Sequence, residues 1–61
     1  MATEFTIKMD TGNAAFDPDP QYEVARILRE IADRLERDGA NGLYQTIHDI
    51  NGNDVGRWRL K

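Results

Sequence analysis

The stretch from Pro20 to Asp38 constrains this chain most, because it alone is long and periodic enough to define a helix. Val24, Ile27, Leu28, Ile31 and Leu35 stand at i, i+3, i+4, i+7 and i+11. At about 100° per residue they form a single apolar stripe, with Ala32 at its edge. Arg26, Arg29, Glu30, Asp33, Glu36 and Arg37 fall opposite, and Tyr22 lies outside the stripe near the helix start. Asp19 suits the N-cap, Pro20 the first helical position and Gly39 the C-terminal stop. Glu30→Arg34 and Asp33→Arg37 have the favourable order for i,i+4 pairing. A helix with one apolar stripe must cover something, and the flanking sequence offers only strands and turns.

Residues 3–9 alternate strictly. Phe5, Ile7 and Met9 take one face, and Glu4, Thr6 and Lys8 the other, which predicts a half-buried strand. Residues 10–19 form an acidic loop in which Gly12 permits a reversal. There the Asp17-Pro18 and Asp19-Pro20 pairs hold each Asp out of the helical region. Phe16 is expected to tuck under the helix and anchor this loop.

Residues 43–60 read as a hairpin around Asn51-Gly52, since both positions tolerate positive φ. With those two as the loop, Ile47 faces Gly56, Gln45 faces Trp58 and Leu43 faces Leu60. A Gly52-Asn53 loop keeps every residue on the same face, whereas a three-residue loop with a bulge does not. The inner face is then Leu43, Ile47, Trp58 and Leu60, with Gln45 the misfit. Tyr44, Thr46, His48, Val55, Arg57 and Arg59 make the outer face. The predicted fold is α+β, in the order β-α-β-β, with a single helix packed on one face of a three-stranded sheet. The third strand is preferred at the centre, antiparallel to both neighbours, over a place at the edge.

At 61 residues the chain is a single domain, 1–61, and one this short hides only about 60% of its unfolded surface. It has no cysteine, so no disulfide or thiolate metal site adds stability. No apolar run reaches the roughly 18 residues of a membrane span. The Met-Ala-Thr-Glu-Phe start lacks the basic and apolar regions of a signal peptide, so the expectation is a cytoplasmic protein without a membrane partner. The net charge of −3 argues against nonspecific nucleic-acid binding. Charge is unevenly spread: residues 1–23 carry Glu4, Asp10, Asp17, Asp19 and Glu23 against Lys8, while the last seven carry Arg57, Arg59 and Lys61 with no acidic side chain.

Catalytic patterns are thin. Asp49, Asn51 and Asn53 resemble the start of a calcium loop, but Gly52 stands fourth, Asp54 sixth and Leu60 twelfth, against the Gly at six and Glu at twelve that such a loop needs. A hairpin turn explains the same residues. His48 is the single histidine, and the chain has neither serine nor cysteine for it to activate. Asp17 and Asp19 are spaced by prolines and suit loop and cap roles better than acid–base work. The expectation is a protein that is not an enzyme and uses no cofactor or metal.

The remaining candidate is a surface. Tyr44, His48, Arg57 and Arg59 share the sheet face away from the helix, and Tyr and Arg are enriched at interfaces. Asp10 and Asp17 mark the acidic loop as a second patch. A protein partner is favoured. The alternative is a nucleic-acid-binding accessory or regulatory role, with bases stacking on Tyr44 and phosphates pairing with Arg57 and Arg59, although no RNP signature is present. The bland reading is a solvated sheet face. Homodimerisation through the open face or a sheet edge is compatible with either role.

Three blocks in order, Asn13-Ala14-Ala15-Phe16, Glu23-Val24-Ala25-Arg26-Ile27-Leu28-Arg29 and Asp49-Ile50-Asn51-Gly52-Asn53-Asp54-Val55-Gly56, resemble a group of small uncharacterised proteins of tailed phages and prophages. The likeness spans nearly the whole chain and is weakest from Ala40 to His48. It implies a phage-encoded accessory protein acting in the bacterial cytoplasm, such as an inhibitor of a defence system like a CRISPR effector. The group has no established activity, so no functional residue carries over.

Overall fold

The helix forms where its end signals place it, over Pro20–Asp38 (α1). Asp19 holds the cap position but makes no side-chain capping bond; its backbone carbonyl accepts from the Tyr22 N–H at 3.3 Å. At the other end Gly39 adopts φ 70° and its N–H donates to the Leu35 carbonyl, closing the last turn. The computed structural model describes residues 3–61. The strands are Phe5–Met9 (β1), Gln45–His48 (β2) and Asp54–Leu60 (β3), and a short 3-10 turn spans Ala14–Phe16. One helix on a three-stranded sheet makes this an α+β domain, with β3 at the centre and antiparallel to both neighbours. β1 and β2 are shorter than the expected 3–9 and 43–49. Backbone bonds between Lys61 and both Thr3 and Glu4 nevertheless prolong the β1–β3 ladder.

The hairpin keeps the expected pairs Gln45↔Trp58 and Ile47↔Gly56, but by a different route. Its loop has three residues, Ile50, Asn51 and Gly52, and not the two expected. The Asp49 N–H donates to the Asn53 carbonyl at 2.9 Å, and the Gly52 N–H to the Asp49 carbonyl at 3.0 Å. Gly52 takes φ 85°, the left-handed residue that ends such a loop. The longer loop shifts the register by one, pairing His48 with Asp54, and a bulge beside Ile47/His48 shifts it back. Val55 is the residue the bulge leaves without a partner in β2, but its carbonyl accepts from the Asp10 N–H at 2.7 Å, continuing the β1–β3 ladder. It lies on the expected outer face beside Thr6, Lys8 and Arg57, and is nevertheless buried, at 6% exposure.

Phe16, Ile27, Ile31, Ile47, Val55 and Trp58 form the buried core, and Phe16, 1% exposed, anchors the loop beneath the helix as expected. Ile7, Met9, Val24, Leu35 and Leu60 pack around it, half-buried. Three residues assigned to the interior stay open: Phe5 at 46%, Leu28 at 46% and Leu43 at 65%. Geometry accounts for this. A helix about 10 Å wide covers the central strand, and strands about 4.8 Å apart place the outer two at its margins. Phe5 retains a tilted contact with Trp58, with ring centroids 6.2 Å apart. Leu43, lying before β2, has less cover. Leu43→Ser is therefore expected to change stability by no more than about 0.5 kcal/mol, read as an unmoved urea midpoint. A midpoint loss typical of a core position would restore Leu43 to the interior.

Candidate interaction face

The pairing of β1 with β3 puts Thr6 beside Arg59 and Lys8 beside Arg57, and β2 adds Thr46 beside Arg57. These side chains point away from the helix. Tyr44, just before β2, completes the row: the Arg59 guanidinium sits over its ring, 4.3 Å from the centroid. A cation against an aromatic face is attracted by the ring quadrupole, and the stacking holds both groups flat on the sheet. Arg59 Nε is buried with no hydrogen-bond partner among the described residues. Arg57 is engaged differently. It donates to the Asp54 carboxylate and, at 2.8 Å, to the Gly56 carbonyl. The Arg57 hydrogen bond holds the Asp54 carboxyl below its ordinary value. Lys8 makes no ion pair among the described residues.

Between these groups lies a shallow concavity of about 340 Å³, lined by Thr6, Lys8, Asp10, Tyr44, Val55, Gly56 and Arg57. Asp10 thus joins the face at its rim, with its carboxylate accepting from the Gly12 N–H at 2.8 Å. Asp17 does not line this hollow; it is exposed where the 3-10 turn ends, before a cis Asp17-Pro18 bond. His48 stands beyond the bulge, opposite Asp54, and lines a cleft between α1 and β2 with Glu30 and Arg34. The structure therefore gathers Tyr44, Arg57, Arg59 and Asp10, adds Thr6 and Lys8, and sets His48 and Asp17 apart.

A second polar cluster escapes sequence reasoning. Glu23 and Asp49 are both buried, at 8% and 4% exposure, beneath the hairpin turn. Glu23 Oε2 accepts from the Ile50 N–H at 2.8 Å, joining helix to turn. Arg26 grips the same carboxylate with two bonds, Nε to Oε1 at 2.7 Å and Nη2 to Oε2 at 3.0 Å. The Arg26 hydrogen bond holds the Glu23 carboxyl below its ordinary value, outweighing burial and the repulsion of nearby Asp49. Asp49 Oδ1 accepts from the Asn51 and Asn53 N–H groups, each at 2.9 Å, and Oδ2 from the Asn53 side chain at 3.2 Å. Burial pushes the Asp49 carboxyl up, but these bonds and one from the Asn13 side chain win, and its pKa is lowered. The pattern did hold a signal: Glu23 sits at i−4 and i−8 from Ile27 and Ile31, a charge on the buried stripe.

Asn13, Glu23, Arg26, Asp49 and Asn53, drawn from the three blocks Asn13–Phe16, Glu23–Arg29 and Asp49–Gly56, therefore hold one turn together. Among the described residues, no group of three or more His, Cys, Asp or Glu is placed to hold a metal ion. No helix among them is long and apolar enough to cross a membrane. Compared with protein-family models, curated proteins and solved structures, the chain matches none.

Proposed function

We propose that this chain is a small non-enzymatic accessory protein of a phage or prophage. On this reading it binds a host or phage protein through the open sheet face, in the manner of an inhibitor that occludes a bacterial defence effector in the cytoplasm. The observation that carries the reading is the Tyr44–Arg59 stack, held flat beside Lys8 and Arg57 on a face the helix leaves uncovered. Stacked Arg and Tyr are the side chains that most often dominate binding energy, and stacking lowers the entropy lost on association. The phage setting rests on the three-block resemblance alone.

The test is affinity capture from bacterial lysate, with and without infection, using the wild type and Arg59→Glu. A specific protein is expected with the wild type and is expected to be lost, by about 30-fold or more in affinity, in the variant. Recovery of the same proteins by both sinks the reading. Arg59→Glu leaves no ion pair unpartnered, so the fold should persist, as an unchanged amide spectrum would report. The same stack also favours a second reading, single-stranded nucleic acid with a base on Tyr44. Measurable oligonucleotide affinity with a salt slope that flattens in Arg59→Glu supports it, and no binding at low salt ends it.

A further inference from the structure

The concavity on the open face has an unusual mixture of properties for a solvated sheet. Its floor is Val55 and the Gly56 backbone, and Tyr44, Thr6 and the aliphatic stems of Lys8 and Arg57 surround it. Charge is zoned around it. The two central cross-strand rows, Lys8–Arg57–Thr46 and Thr6–Arg59, contain three cations and no acid. Acidic groups stand only at the margins: Asp10 and Asp54 on one side, and Glu4, within 4.0 Å of the Lys61 ammonium, on the other. In an otherwise acidic chain of net charge −3, Lys8 and Arg59, which make no ion pair among the described residues, thus stand beside an apolar hollow.

Resting on the reading that this face binds a protein, we propose that the hollow over Val55 receives one apolar side chain of an acidic segment of the partner, whose flanking carboxylates meet Lys8 and Arg59. The apolar residue supplies the buried anchor. The carboxylates supply orientation, since an opposite charge gains most beside cations with no internal partner. A nucleic-acid strand fits less well. Its phosphates would meet Asp10 and Asp54 at one margin and Glu4 at the other.

Amide shifts in isotope-labelled protein test this with synthetic peptides of twelve residues at low salt. One probe is glutamate and aspartate throughout with a single central tryptophan. A second replaces the tryptophan by glutamate, a third replaces the acids by lysine, and a single-stranded oligonucleotide is the fourth. The tryptophan-bearing acidic peptide is expected to shift Thr6, Lys8, Gly56 and Arg57, and to bind at least tenfold more weakly to Lys8→Glu. Equal shifts from the all-acidic peptide remove the anchor, equal shifts from the lysine peptide remove the charge argument, and tighter oligonucleotide binding replaces the partner class. No shift from any probe at millimolar concentration overturns the proposal. Its failure is separable from that of the broader reading: a lysate partner lost with Arg59→Glu but kept with Lys8→Glu preserves the face and discards the hollow.

Discussion

Gly56→Ala is expected to leave the chain unfolded. A Cβ built at Gly56 falls 2.0 Å from the Lys8 carbonyl oxygen and 2.9 Å from the Met9 Cα. Both are backbone atoms of β1, so no side-chain rotation relieves the overlap, and β1 must leave the central strand. Overpacking ordinarily costs about 1–3 kcal/mol, and a backbone clash lies at or above that range. The whole stability of a domain this size is only about 3–9 kcal/mol. The matched control is Gly52→Ala. That Cβ meets nothing within 4 Å, but φ 85° is unfavourable for an L side chain and costs about 1–2 kcal/mol. Urea denaturation followed by tryptophan fluorescence separates the two, because Trp58 lies in the core. Gly52→Ala should show a lowered midpoint and Gly56→Ala no cooperative transition. A cooperative Gly56→Ala with a midpoint near the wild type would mean that β1 does not pass this close to β3.

The contrast between these glycines indicates which parts of the fold sequence could reveal. Gly52 was legible because Asn-Gly between alternating runs marks a turn. Gly56 gave a subtler sign, a glycine inside a strand, which often marks a bulge or a close backbone approach. The helix was legible to the residue because periodicity, Pro20 and Gly39 are local signals that tertiary contacts had no reason to override. Register came out right although the loop did not. A loop longer by one residue and a bulge at Val55 displace the strands in opposite senses, so every pair beyond the bulge is the one a two-residue loop gives. Only Val55 and His48, between the two irregularities, betray the difference. Exposure was the weaker inference. Alternation states which way Phe5 and Leu43 point, but the width of one helix decides whether anything covers them. On the candidate face, Tyr44, Arg57 and Arg59 share one side by alternation alone, whereas the hollow beside them is lined by Val55, which the bulge leaves without a partner in β2.

Glu23→Ala is expected to be the most damaging change on the helix surface, although the residue is a charged one in a first turn, where an acid ordinarily serves only the helix dipole. Its carboxylate is the acceptor for Ile50 and for two hydrogen bonds from Arg26, so removing it strands a part-buried N–H and leaves the half-buried guanidinium with Glu30 alone. Losing such an acceptor costs about 2–3 kcal/mol, or a melting temperature lower by about 10–20 °C for so small a domain. Glu23→Gln should cost less, because its amide oxygen still accepts from Ile50 but cannot meet Arg26 as a carboxylate does. The pH dependence separates this role from simple packing. The folded pKa lies below the ordinary 4.5, so in that window the unfolded chain binds more protons than the folded one. The stabilisation is thus complete above about pH 4.5 and is lost as pH falls through the lower folded value. Asp49, lowered from 3.8, loses its contribution the same way over a slightly more acidic range. The wild type should therefore outlast Glu23→Gln in urea at pH 7, with the gap between their midpoints closing as the pH falls below 4. A gap independent of pH would show that Glu23 acts through its shape alone, and the ionic lock between helix and turn would have to be abandoned.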